Sequence, residues 1–344
     1  MAFYDPVFNM LGLREWCDAE KSDAPLSLAQ LLAKSKGEES IEAPWYEIPF
    51  PSLDNLNKAC GAIDQTRDMT SGLEKYFLSI KDSLKSVLDP LTQPLSWMLD
   101  GSMYVFTHTP WWVLIPLFLF FVFKITRSWS VTLLVAATFT FFGVIDHLSY
   151  AIQTLSIIFV CTVLCIIIGI PIGILMSKND WFQRFNIPIL DMLQTLPSFV
   201  YLIPLIFLFS VTESKLYGIA IIMYAIVPVI RLTDLGIRLV DKDVIEAADA
   251  FGMSKRQKLF GVEIPLALPT IMAGINQTIM MALSILVIAS LVSAPGLGVL
   301  VLRGIRNLEL GVGLIAGFCI VLLAVMLDRV SKKALARLNA SQEH

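Results

Sequence analysis

The chain returns again and again to long apolar runs, and a bilayer is the environment that accommodates such a pattern. A hydrocarbon core of about 30 Å needs roughly 20 apolar residues per helix. Seven runs approach that length, near 104–123, 129–145, 151–176, 187–211, 216–237, 266–292 and 310–328. The 344 residues are 56% hydrophobic and only 16% charged, whereas soluble domains carry about 25% charged residues. The expectation is an all-α integral membrane protein with about seven membrane helices and a polar N-terminal tail. The start of the chain has no apolar core of the kind a cleaved signal carries, so insertion is expected to be driven by the spans themselves.

Three regions follow from this pattern: a polar, acidic tail over 1–100, a membrane domain over 101–330, and a short tail over 331–344. Within the first, Pro punctuates pieces at 5–35, 41–55 and 56–90. Residues 69–88 place Leu73, Phe77, Ile80, Leu84, Val87 and Leu88 at helical spacing, an amphipathic helix suited to a membrane surface or a partner helix. The stretch 41–55 holds too much Pro for a helix or a central strand. Cys17 and Cys60 can form a disulfide if the tail faces an oxidising compartment. Cys161 and Cys165, one helical turn apart in an apolar run, read as small core residues rather than ligands.

Span four carries Pro197 and Pro204, span five Pro228, and span three ends in Gly169–Gly173. These residues kink or break membrane helices, as a transport path or ordinary bundle packing allows. Basic residues gather in alternate loops: Lys124 and Arg127, Lys178 and Arg184, then 238–258, then 329–337. The positive-inside tendency puts those loops and the C-terminus in the cytoplasm and the N-terminal tail outside. Arg303 and Arg306 run against it, in an amphipathic piece expected to lie on the outer surface after Ala294-Pro295-Gly296.

The insert between spans five and six, 238–265, is the charged exception in this apolar half. Asp241 and Asp243 precede an Ala-rich helix start, where the helix dipole favours acidic groups. Ala247, Ala248 and Ala250 favour helix with little bulk, so a partner can approach the backbone. Gly252 permits a turn into a second short helix. Phe251, Leu259 and Phe260 supply an apolar face; Lys255, Arg256 and Lys258 supply a basic one. Pro265 and Pro269 open span six.

The spacing of Glu246, Ala247, Ala248, Gly252, Val262, Ile264 and Pro265 resembles the EAA loop of ABC importer permeases, with Val and Ile where that family usually has Ile and Leu. Residues 191–204, 227–233, 266–283, 287–290 and 296–304 are similar to the permease subunits of glycine betaine/proline betaine importers, as is a tail of about 100 residues before the spans. The resemblance implies the type I ABC importer transmembrane fold and a coupling loop, with Glu246, Ala247, Ala248, Gly252, Arg256 and Pro265, that docks on an ABC ATPase. It also implies a second permease copy and a soluble substrate-binding protein. An aromatic cage for the quaternary ammonium is expected on that binding protein. Glycine betaine, proline betaine, choline, carnitine, trimethylamine N-oxide and, less well matched, an amino acid such as methionine stay open as solutes.

Ionisable and polar groups inside spans are expensive and often functional. Asp191 and Gln194 in span four, Arg231 in span five, and Asn276, Gln277 and Thr278 in span six are candidates for a gate or translocation path. Asp191 and Arg231 are candidates for an ion pair at the inner mouth. Uncharged polar residues serve equally well as glue between helices. No Gly-rich phosphate loop with Lys-Ser/Thr is present, so ATP and Mg belong to the partner, no cofactor is expected in this chain, and no catalytic or metal-ligand set stands out. Membrane lipids are expected partners and nucleic acid is not. A stand-alone secondary transporter and a membrane-anchored scaffold are the rival readings; the first needs midplane ion sites or an inverted repeat, and neither is evident.

Overall fold

The computed structural model describes residues 4–13, 16–17 and 50–340. The Pro-rich piece 41–55 therefore lies outside the described residues up to 49. The chain divides into two compact units, Met1–Leu84 and Lys85–His344.

The first unit is small. Its described elements are α1 (Asp5–Met10), α2 (Leu53–Ala59) and the beginning of α3 (Thr66–His108). Ser52 caps α2 by accepting from Asn55 N, and Thr66 N donates to Asp54 Oδ1 at 2.9 Å. Phe8, Cys17, Ala59 and Cys60 form the core, with Tyr4, Leu56, Ala62 and Ile63 packed against it. So small a core is marginal by itself. A Cys17–Cys60 disulfide closes it across a sequence separation of 43 residues. Closing a loop of that size is worth about 4 kcal/mol on the chain-entropy scale.

The amphipathic stretch expected at 69–88 is helical, but the helix does not stop there. It runs through Pro90 and Pro94 to His108. From residue 85 on, contacts within the second unit hold it across its prolines. Lys215 Nζ donates to Asp89 Oδ1 at 2.7 Å, Ser96 and Ser214 hydroxyls lie 2.9 Å apart, and Leu99 is buried where Gly218 leaves room for it. The apolar stripe itself is largely uncovered: Leu73 is 72% and Val87 66% exposed.

The second unit is a helical bundle built from α4 (Trp111–Thr126), α5 (Trp129–Val144), α6 (Leu148–Lys178), α7 (Asp180–Thr195), α8 (Leu202–Leu208), α9 (Ser214–Arg238), α10 (Lys242–Ala250), α11 (Lys255–Lys258), α12 (Ile264–Ala289), α13 (Leu297–Arg306) and α14 (Leu310–Ala340). Helix α9 packs most extensively on α12 and on α6. Small residues set that closeness. A Cβ on Gly173 would meet Thr233 Cβ at 2.6 Å and Ile230 O at 2.7 Å, and one on Gly274 would meet Leu232 Cβ at 3.0 Å.

The seven expected spans are corrected by the structure. Among the described residues, four helical stretches are long and apolar enough to cross a bilayer, namely Leu148–Lys178, Ser214–Arg238, Lys255–Val292 and Leu310–Arg337. A bent pair, Thr66–His108 with Trp111–Thr126, breaks by 112° and makes a fifth at most. The first expected span, 104–123, is thus divided at Thr109-Pro110. The second, Trp129–Val144, is a helix of 16 residues, about 24 Å. The fourth, 187–211, is broken: α7 ends at Thr195, residues 196–201 turn, and α8 is only seven residues long. Pro197 has no N–H to continue α7, and the residue before a proline avoids the α region; Leu196 is extended at φ −63°, ψ 131°.

Helix α13 packs one face into the bundle, while Arg303 and Arg306 stay exposed on the other. Leu297, Gly298, Leu300 and Gly304 are buried. Leu297 N donates to Thr154 Oγ1 at 2.9 Å, an approach that Gly296 at φ 119° makes possible, since a Cβ there would lie 2.4 Å from that oxygen.

Candidate functional site

The insert folds as an elbow of two short helices. Asp241 starts α10 as its N-cap, accepting from Asp243 N at 3.0 Å. The helix ends in a Schellman motif: Met253 N donates to Ala248 O at 3.2 Å and Gly252 N to Asp249 O at 2.9 Å. The motif requires a left-handed residue, and Gly252 supplies it at φ +73°. Ser254 opens α11 with a capping box shared with Gln257. Lys258 Nζ then reaches back to both carboxylate oxygens of Asp249, at 2.7 and 2.8 Å.

Helical spacing divides α10 into two faces. Ile245 packs against a buried cluster of Ile237, Val240, Ala267 and Ile271, and Ala248 is 5% exposed. Glu246 and Ala247 face outward, as does Arg256 on α11. Of the expected apolar face, Phe251 is 88% and Phe260 66% exposed, while Leu259 is half-buried. Phe251 and Phe260 are thus large apolar side chains left bare on the elbow. Pro265 lies in the first turn of α12, where its missing N–H costs nothing.

The elbow joins the bundle through a π-helical turn, Leu259–Glu263, closed by Ile264 N donating to Leu259 O. Such turns are rare and cluster at functional sites. The wider turn carries Glu263 inward, where it is 2% exposed and ion-paired with Lys178 Nζ at the end of α6. A second polar knot adjoins the same end of α6. Arg238 Nε donates to Asp234 Oδ1 at 2.9 Å, its Nη1 lies 2.8 Å from Asp180 Oδ1, and its Nη2 donates to Met176 O at 2.7 Å. Gln183 Nε2 also donates to Asp234, at 2.6 Å. Sequence reasoning missed Glu263 and Lys178. The available signal was that Glu263 is the one acidic residue between the 255–258 cations and the following span.

Of the gate candidates, Asp191 and Arg231 come together as an ion pair, with Arg231 Nε buried and unpartnered among the described residues. Gln194 is half-buried and its amide lies 3.9 Å from Met281 Sδ, a weak contact. Asn276 behaves as glue: it donates to Asp328 Oδ1 at 2.9 Å and accepts from Ser331 Oγ at 2.5 Å, tying α12 to α14. Gln277 is exposed, apart from these contacts, while the Thr278 hydroxyl is buried without a partner among the described residues. Asp191–Arg231 and Asn276–Asp328 are separate contacts.

The chain is similar to known transport proteins. Residues 166–338 match the family of the binding-protein-dependent transport system inner membrane component. The chain is 40% identical over 285 residues to the glycine betaine/proline betaine transport system permease protein ProW of Escherichia coli, covering 82% of this chain and 78% of that one. It is 43% identical over 224 residues to the glycine betaine transport system permease protein OpuAB of Bacillus subtilis, covering 63% and 79%. It is 37% identical over 246 residues to the glycine betaine/carnitine transport permease protein GbuB of Listeria monocytogenes, covering 70% and 86%. Among solved structures, an inward-facing MetNI methionine ABC transporter chain shares the fold, with TM-score 0.51 and 19% identity over 56% of this chain and 95% of that one. The chain belongs to the family of inner-membrane components of binding-protein-dependent transport systems.

Proposed function

We propose that this chain is the permease of an ATP-driven importer of small methylated amines such as glycine betaine or proline betaine. The observation that carries the reading is the elbow: two capped helices, pinned to each other by Asp249–Lys258 and rooted in the bundle by Glu263–Lys178, with Glu246, Ala247 and Phe251 turned outward. A rigid lever with a bare outer face suits an ABC ATPase groove. Closure of the ATPase dimer on ATP then moves the paired elbows of two permease copies, and the bundle rocks between inward- and outward-facing states. ATP and Mg act on the ATPase, and a soluble binding protein selects and delivers the solute. The relatives named above, which take glycine betaine, proline betaine or carnitine, support the solute class.

In this reading the N-terminal unit faces outward and the C-terminus lies in the cytoplasm, as the positive-inside tendency of the loops suggests. The Cys17–Cys60 disulfide favours an oxidising side for the first, since cytoplasmic thiols are kept reduced. Asp191–Arg231 is assigned to the inner mouth as a gate pair.

Reconstitution tests the reading. Proteoliposomes holding this chain, its ATPase and its binding protein should accumulate labelled glycine betaine only with ATP. Accumulation by the chain alone, or an ATPase that fails to co-purify with it, would overturn the proposal.

A further inference from the structure

We propose that a trough between α5 and α14 is a binding site for one anionic phospholipid, with the phosphate at its basic mouth and an acyl chain along its floor. This rests on the chain's membrane embedding and not on which solute it carries.

Two adjoining cavities form the trough. The first, of about 410 Å³, is lined by Ser128, Ser130, Arg329, Lys332 and Lys333. The second, of about 560 Å³, is walled by Leu133, Phe141, Phe318 and Leu322. Ser130 and Leu134 line both, so the polar mouth passes directly into the apolar floor. That order, charge then hydrocarbon along one line, is the order of groups in a phospholipid.

The mouth carries a surplus of positive charge. Lys332 pairs with Asp328 at 3.0 Å, and Asp328 is further held by Asn276. Arg329 and Lys333 make no hydrogen bond or close ion pair among the described residues, although the Arg329 charge also acts on Asp328. Three cations thus face one carboxylate already engaged twice. The helix that carries them is tied to its neighbour: Arg337 Nη1 donates to Lys124 O at 2.5 Å and to Ile125 O at 3.0 Å, joining the end of α14 to the last turn of α4. Trp129, 75% exposed and packed 4.8 Å from Phe123, sits beside the mouth. An exposed Trp next to clustered cations marks the headgroup level of a bilayer.

Charge and shape together select the ligand. A zwitterionic headgroup gives the cations no net charge to neutralise. A free phosphate leaves Leu133, 73% exposed, and Phe318, 51% exposed, uncovered. An anionic phospholipid satisfies both ends, as basic pockets between membrane helices do elsewhere.

The test is native mass spectrometry of the full-length protein, delipidated and then titrated with phosphatidylglycerol, phosphatidylcholine or inorganic phosphate. Phosphatidylglycerol should be retained in preference to phosphatidylcholine, and phosphate should not displace it. Arg329→Gln with Lys333→Gln, both solvent-facing substitutions, should weaken phosphatidylglycerol retention roughly 30-fold, the effect of removing two juxtamembrane cations. Leu134→Trp should fill the floor and lower retention of both lipids. The same loss of charge at Arg303 and Arg306, away from the trough, should change nothing. Equal retention of the two lipids, unaltered retention in the Arg329/Lys333 variant, or displacement by phosphate alone would overturn the proposal. So would efficient Leu133→Cys cross-linking between two copies in the membrane, which would show that a second chain fills the trough.

Discussion

Lys258 and Asp249 join the two helices of the elbow across the Gly252 turn, with the ammonium 2.7 and 2.8 Å from the two carboxylate oxygens. The pair links the two helices across the turn. As Asp249 is largely exposed, its net contribution to stability is small, about 0.2–1 kcal/mol. Lys258→Ala should therefore leave the thermal midpoint nearly unchanged while lowering transport-coupled ATP hydrolysis several-fold. Exchanging the charges, Asp249→Lys with Lys258→Asp, should recover part of that loss. Full coupling in the single variant would remove the pair from the stroke.

Gly252 is open to solvent, and a Cβ at this position would meet nothing within 4 Å, yet its φ is +73°. The constraint is conformational rather than steric crowding. Gly252→Ala should cost about 1–2 kcal/mol at the turn, and Gly252→Asn less, because Asn tolerates the left-handed region. Gly252→Pro should abolish uptake while membrane insertion persists. Uptake assays on the three variants should rank Asn above Ala above Pro.

Glu263 is buried and Lys178 is its ion-pair partner, half-exposed. Removing the cation with Lys178→Met strands a buried carboxylate, a change worth about 3–5 kcal/mol when a pair is fully buried and about 2 kcal/mol here, where water reaches the lysine. The double variant Lys178→Met/Glu263→Leu should recover most of the lost thermal stability. A double variant no better than the single one would show that the two residues act separately.

Gly173 and Gly317 make a matched comparison within two apolar helices. Gly173→Ala drives a methyl into Thr233 and the Ile230 carbonyl, whereas nothing lies within 4 Å of a Cβ at Gly317. Overpacking at the first site should cost about 1–3 kcal/mol and separate α6 from α9. Gly317→Ala should be neutral or slightly stabilising. Thermal unfolding in a nanodisc reads both.

Asp191 and Arg231 are each more than a third exposed, so their pairing contributes at most about 1 kcal/mol to stability. Reversing either charge should reduce uptake without unfolding the protein, and reversing both should restore it. Failure of the double reversal to restore uptake would separate the pair from gating.

Much of the elbow was legible because its signals are local. Asp241, Gly252 and Pro265 act on their own backbone, through a cap, a left-handed turn and a missing N–H, so each can be read without knowing its neighbours. Apolar runs likewise announced helices at 129–145, 151–176, 216–237 and 310–328, since burial in lipid needs only length and composition. The run at 104–123 misled for the same reason: hydropathy measures how apolar a segment is and not whether its backbone stays helical, and the break at Thr109-Pro110 leaves hydropathy untouched; in 187–211 Pro197 signalled a break that hydropathy alone does not register.

What the tertiary structure alone decided is partnership. Glu263 with Lys178, Asn276 with Asp328, and Lys215 with Asp89 are separated by 85, 52 and 126 positions in the chain. No local periodicity encodes such pairs. The energy that selects them comes from removing charged and amide groups from water, and that cost is set by which helices pack together. The residues themselves determined a membrane bundle with a protruding elbow; the packing of α6, α9 and α12 determined where that elbow is rooted.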